Sequence, residues 1–170
     1  MSLRPRDRPC SAALSRLRYR SAGSGAGRAL KHYLDSSVVL ALLLEDSDAL
    51  KPLQDEQQVG SSRLLWIEVA RVIERAVRTE QLSEQDGVAV RRQFQQLSSG
   101  LFQLKLHEPV FARSAGSFPL LVRTLDAIHL ASAELWLHGD APSGLSVWTL
   151  DQRMNLCAAS LGFATPLETS

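Results

Sequence analysis

From residue 32 onward, two hydrophobic periodicities take turns along the chain. Short strand-like segments occur at 32–34, 59–62 and 145–149. Between them lie longer stretches whose apolar residues recur every three or four positions, the spacing of one helix face. Those stretches predict helices over 38–45, 47–57 (interrupted early by Pro52), 63–79, 109–117, 125–138 and 152–161. A further helix opens at Ser83, where Asp86 three positions later makes an acidic version of the capping box, and Gly100 closes it. Gly162 stands where the last helix should stop. Phe102, Leu104 and Leu106 alternate with Gln103 and Lys105 as a half-buried strand, and 163–165 reads as a final edge strand. Strand and helix in alternation imply an α/β fold, an open and mostly parallel sheet wrapped by helices. In such folds the ligand site lies beyond the carboxyl ends of the strands.

Composition narrows this picture. At 170 residues and 45% hydrophobic content, the chain can bury one good core but not two ordinary domains. Its longest apolar run, 38–44, is far short of the roughly 18 residues a membrane helix needs, so no membrane partner is expected. Two cysteines, Cys10 and Cys157, support neither a disulfide framework nor a zinc site and fit a reducing cytoplasm. The net charge of +1 hides a division: residues 1–31 carry eight of the 19 Lys and Arg against Asp7 alone, leaving the remainder at −6. Residues 1–29, rich in Arg, Ser, Gly and Ala, therefore read as a basic, disordered or loosely helical extension ahead of a folded domain at 30–170. Three origins stay open for it: a start foreign to the native protein, an arm that captures RNA, or a mitochondrial transit peptide. The acidic domain is a poor surface for a polyanion unless bound cations neutralise it where a phosphate would sit.

Four acids carry the candidate chemistry: Asp35 in YLDSSVVLALL, Glu68 in LLWIEVARVIE, Asp126 in RTLDAIHLASA and Asp151 in VWTLDQRMNLCAASLGF. Apolar surroundings of this kind make an unpaired carboxylate costly. Asp35 and Asp151 each follow a predicted strand, and each could simply cap the next helix. Asp126 lies in a first helical turn, where the dipole favours a carboxylate. Glu68 is more telling, because it falls three residues after Leu65 and four before Val72 and so faces the protein. An ion pair with Arg71 or Arg75 is the ordinary alternative, but those residues point toward a different edge. Converging in space, the four would form a site for Mg²⁺ or Mn²⁺. His129, one turn beyond Asp126, could be taken for a general base but is expected to be structural, packing on its helix or bonding a backbone group. Arg123 could hold a substrate phosphate or form a surface salt bridge. Trp66 and Trp136 belong to the core or an interface.

In this order and at these separations, the four segments resemble the PIN-domain nucleases, specifically the VapC-type ribonuclease toxins of toxin–antitoxin modules, over residues 32–166. The resemblance implies a PIN-like three-layer α/β/α fold with a short, mostly parallel central sheet. It implies an Mg²⁺- or Mn²⁺-dependent endoribonuclease acting on single-stranded or loop RNA through metal-activated water. Asp35 and Asp126 would be direct ligands, Glu68 and Asp151 would position waters or a second ion, and Ser36 and Thr149 match the family's hydroxyl residues. It further implies a VapB-type antitoxin and a second copy of the chain as partners, received by apolar surface that includes Leu40, Leu43, Leu44 and Trp66. A catalytically silent PIN-like scaffold is the alternative. A receiver-type phosphoacceptor domain is disfavoured, since no acidic pair precedes the first strand and Lys105 alone cannot supply its basic context.

All four acids lie beyond residue 30, so a chain starting at Leu30 should keep cleavage activity. RNA affinity across a salt series checks this. If the seven arginines of the extension made phosphate contacts, a steep salt slope would disappear on truncation.

Overall fold

The computed structural model describes residues 30–45 and 58–167. The helix expected over 47–57 and the basic extension lie outside the described residues. Four strands, β1 (Lys31–Leu34), β2 (Gln58–Ser62), β3 (Phe102–Leu104) and β4 (Leu145–Trp148), form one parallel sheet in the order β3-β2-β1-β4. The helices are α1 (Ser36–Leu44), α2 (Leu64–Arg78), α3 (Glu84–Ser98), α4 (Glu108–Ser114), α5 (Thr124–Trp136) and α6 (Gln152–Ser160).

The pleat of the two inner strands divides the core. Leu34 and Trp148 project to one face, where they join Val38, Leu42, Leu65, Val69, Ile73, Val90 and Phe94 from α1, α2 and α3. Their neighbours Tyr33 and Val147 project to the other, joining Leu130, Trp136, Met154 and Cys157 from α5 and α6. Helices thus cover both faces, and the architecture is α/β/α as expected. Because every described strand is parallel, their carboxyl ends share one edge. Asp35, the Ser62–Arg63 turn and Thr149 stand along it.

Three expectations need correction. The strand at 163–165 shrinks to a single bridge, Ala164 to Ser146. Ala164 gives its N–H to Leu145 and takes one from Val147, but the next donor along that ladder would be Pro166, which has no N–H. Strand β3 stops at Leu104 with Phe102 outward, so Leu106 lies beyond the sheet. Leu43 and Leu44, expected at a partner surface, are buried in the core because α1 is enclosed by α2 and α3. Leu40 and Trp66 are only partly buried, and Trp66 lies edge-on to Phe94 with centroids 6.1 Å apart.

Gly60 shows how closely α5 sits on the sheet. A Cβ there would lie 2.7 Å from the Phe102 carbonyl oxygen and 2.9 Å from the Trp136 ring, which stacks on Phe102 at 5.7 Å. Backbone on one side and a stacked indole on the other leave little room to yield. Gly60→Ala should therefore lower stability by about 1–3 kcal/mol in chemical denaturation. Gly144→Ala, with nothing within 4 Å of the added carbon, should stay within about 0.5 kcal/mol of the parent.

Candidate metal centre

Asp35 leaves β1 at the carboxyl edge and is only 6% exposed. Its Oδ2 accepts three hydrogen bonds: from the Ser37 N–H at 3.3 Å, the Ser37 hydroxyl at 2.5 Å and the Thr149 hydroxyl at 2.9 Å. The first makes it the N-cap of α1, so capping and site formation are one arrangement. Thr149 is fully buried and also accepts the Asp151 N–H at 3.0 Å, while Ser37 accepts the Leu150 N–H at 2.9 Å. These bonds lock the end of β1 to the end of β4. Ser37 fills this position, not Ser36, which is buried in the first turn of α1. A cap oxygen reaches the N–H two or three residues on, and that spacing favours the second serine of the pair.

Glu68, on the second turn of α2, is half-buried and turned inward. Its partner is His129: Glu68 Oε2 accepts from His129 Nε2 at 2.7 Å. Arg71 instead pairs with Glu74 at 2.9 Å. His129 is fully buried on α5, its Nε2 3.6 Å from Asp35 Oδ1 and its Nδ1 2.8 Å from the Tyr33 hydroxyl. The Tyr33 oxygen also accepts the Ser62 N–H at 3.3 Å, completing a chain of contacts from β2 through β1 and α5 to α2. Burial alone would lower the pKa of His129. The Tyr33 oxygen, the hydrogen bond to Glu68 and the charges of Asp35 and Glu68 outweigh that and raise it to about 10.

The ring is therefore an imidazolium near neutral pH, held between two carboxylates. Sequence reasoning gave His129 packing or backbone contacts; its actual partners are side chains of the site. Its position three residues after Asp126, on a helix otherwise apolar nearly all round, is the signal that pointed inward.

Asp126 and Asp151 approach from the starts of α5 and α6. Asp126 is half-buried and accepts the Arg123 N–H at 3.2 Å, while Asp151 caps α6 through the Met154 N–H at 2.9 Å. Burial raises the pKa of Asp126; the Arg123 N–H opposes the rise, and the charges of Asp151 and Asp35 add to it. Asp126 is thus near enough to Asp35 and Asp151 to feel their charges. Arg123 is exposed, and its backbone rather than its guanidinium bonds Asp126.

Ligand atoms of Asp35, Glu68 and His129 lie within 4.8 Å of one another, with Asp126 and Asp151 outside this tight group. Carboxylate oxygens fit a hard divalent cation such as Mg²⁺ or Mn²⁺, whereas a protonated His129, with both ring nitrogens as donors, has no lone pair to offer a metal.

Fold and site together define an α/β domain with a carboxylate centre at the exit of a parallel sheet. The family model of the PIN domain matches residues 32–156, and the chain belongs to that family. It is 33% identical over 135 residues to Ribonuclease VapC46 of Mycobacterium tuberculosis, a match covering 78% of this chain and 93% of that protein. Its fold is similar to a toxin-antitoxin complex from Klebsiella pneumoniae, at TM-score 0.53 and 21% identity over 81% of this chain and 98% of that one. It is also similar to PAE2754 from Pyrobaculum aerophilum, at TM-score 0.50 and 15% identity over 86% and 92% of the two chains.

An aspartate whose folded pKa is raised destabilises the protein once it ionises: the penalty is absent at low pH and appears as pH rises through the folded value. Asp126→Asn should accordingly raise the melting temperature of metal-free protein at pH 7 more than at pH 4. Thermal melts at the two pH values check this; an equal effect at both would remove the electrostatic explanation.

Proposed function

We propose that this chain is a divalent-metal-dependent endoribonuclease, the toxin of a type II toxin–antitoxin pair. The observation that supports the reading is the meeting of Asp35 and Glu68 within a few ångströms at the carboxyl edge of the sheet, with Asp126 close enough to feel the charges of Asp35 and Asp151. Membership of the PIN family and likeness to Ribonuclease VapC46 support it.

In this reading Asp35 and Asp126 hold Mg²⁺ or Mn²⁺, and Glu68 and Asp151 position waters or a second ion. The bound metal would supply polarisation of the scissile phosphate and an activated water for hydrolysis of the phosphodiester. The protein's own part is to hold the acids still. Ser37 and Thr149 occupy Asp35 Oδ2, leaving Oδ1 toward the centre, and His129 fixes the Glu68 carboxylate through Oε2. Arg123, exposed beside Asp126, is placed to pair with a phosphate of the RNA.

Regulation in this reading comes from a VapB-type antitoxin, with a second copy of the chain as a further partner. Ile67, Leu125 and Leu150 are 55%, 45% and 41% exposed, and each immediately precedes a site acid. An apolar rim of this kind around a polar cleft suits a peptide that covers it. Action in the cytoplasm accords with the absence, among the described residues, of any helix long and apolar enough to cross a membrane.

One observation favours the alternative of a silent scaffold: His129, hydrogen-bonded to Glu68 at 2.7 Å and 3.6 Å from Asp35, already partners the acids of the cluster without a metal. Cleavage of RNA by purified protein with Mg²⁺, Mn²⁺ or EDTA separates the two. Asp35→Asn and Asp126→Asn are expected to lose at least about a hundredfold in rate while melting cooperatively. Wild-type activity in Asp126→Asn, or cleavage indifferent to EDTA, would overturn the metal mechanism.

A further inference from the structure

We infer that one flank of α2 is a phosphate track that leads single-stranded RNA to the carboxylate centre; this rests on the ribonuclease reading. Glu68 is followed on the same helix by Arg71, Arg75 and Arg78. At 3.6 residues per turn Arg71, Arg75 and Arg78 project about 60°, 20° and 80° from Glu68, on its flank and not on the different edge expected for Arg71 and Arg75, and lie about 4.5, 10 and 15 Å further along the axis. Their spacing of about one helical turn is of the order of the separation of successive phosphates in an extended strand.

All three guanidiniums are presented to solvent, Arg71 at 73% and Arg78 at 78% side-chain exposure, and Arg75 is exposed too. They line a surface hollow of about 400 Å³ with Val72, Glu74 and Thr79. A run of cations is out of keeping with a domain carrying −6 over residues 32–170. It is not needed for folding either, because the buried face of α2 is Leu65, Val69, Ile73 and Ala76.

Glu74 gives the flank a measure of restraint. Its two oxygens hold Arg71 at 2.9 Å and Arg78 at 2.8 Å, fixing a pair of forks on either side of Arg75, whose guanidinium has no hydrogen-bond or ion-pair partner among the described residues. Guanidiniums suit phosphate through paired N–H donors. An acidic peptide offers similar charge. A polyanion with regularly repeated phosphates matches the row better, and the row begins at the residue expected to help hold the metal on the scissile phosphate.

The test is binding of a fluorescent oligouridylate to the full chain in EDTA, where cleavage is stalled, across a salt series. The double variant R71A/R75A should bind about tenfold more weakly, and its log–log salt slope should shrink by about 1.4, two contacts at 0.7 each for a single strand. Arg92→Ala, on the side of α3 away from its buried stripe, should match the parent. Glu74→Gln, which releases Arg71 and Arg78, should bind more tightly with a steeper slope. This opposite sign keeps the test valid if the double variant folds poorly.

An unchanged slope in R71A/R75A would overturn the track. So would loss of poly-glutamate binding with RNA binding intact, which would make the flank a site for an acidic protein. Cleavage by wild-type protein in Mg²⁺ is scored separately: if it occurs and the slope is unchanged, only the track fails, and if it is absent the ribonuclease reading fails first.

Discussion

The carboxyl edge of this sheet is organised around satisfying the Asp35 carboxyl group where little water reaches it. A buried carboxylate with no partner would cost several kcal/mol or take up a proton. Here one oxygen receives an N–H and two hydroxyls, and an imidazolium faces the other. Supplying those donors requires the end of β4 to lie against the start of α1, and it requires α5 to bring His129 under Glu68. The contacts that stabilise one charge therefore also specify how three helices meet the sheet.

Capping and metal chemistry are not competing explanations for the aspartates. Asp35 and Asp151 each accept an N–H at the first turn of a helix, and Asp126 accepts one from the residue before its helix. An N-terminal turn is a favourable place for negative charge because of its free N–H groups and the helix dipole. Three such turns opening on one edge let a small domain gather acids that would otherwise repel too strongly. Burial raises the pKa of Asp126 and the charges of Asp151 and Asp35 add to the rise; a divalent cation would relieve that part of the cost that comes from like charge.

His129 gives the centre a second way to balance its charge. While protonated it occupies the space between Asp35 and Glu68 as a cation would, and its anchor through Tyr33 to the Ser62 N–H ties that balance to the backbone of β2. Charge balance at this edge thus arises from four side chains, Asp35, Glu68, His129 and Tyr33. The arrangement accounts for an inward glutamate on α2 without an arginine partner.

Alternation of strand and helix, the parallel sheet and the four acids were all legible in the amino-acid order, because periodicity and caps are local properties. Element ends at Ser83, Gly162 and Asp35 follow from the same short-range chemistry. What the order of residues left open depends on which surfaces meet. Leu43 and Leu44 are apolar in either setting, and only the packing of α2 and α3 around α1 makes them core instead of interface. Ser36 and Ser37 are chemically identical, and the turn into α1 decides which one bonds Asp35. His129 becomes part of the charge cluster because Tyr33 and Glu68, 96 and 61 residues away in the chain, close on it from two other elements. A side chain's propensity is written in its neighbours along the chain; its charge state and partners are set by groups that only tertiary contact brings within a few ångströms.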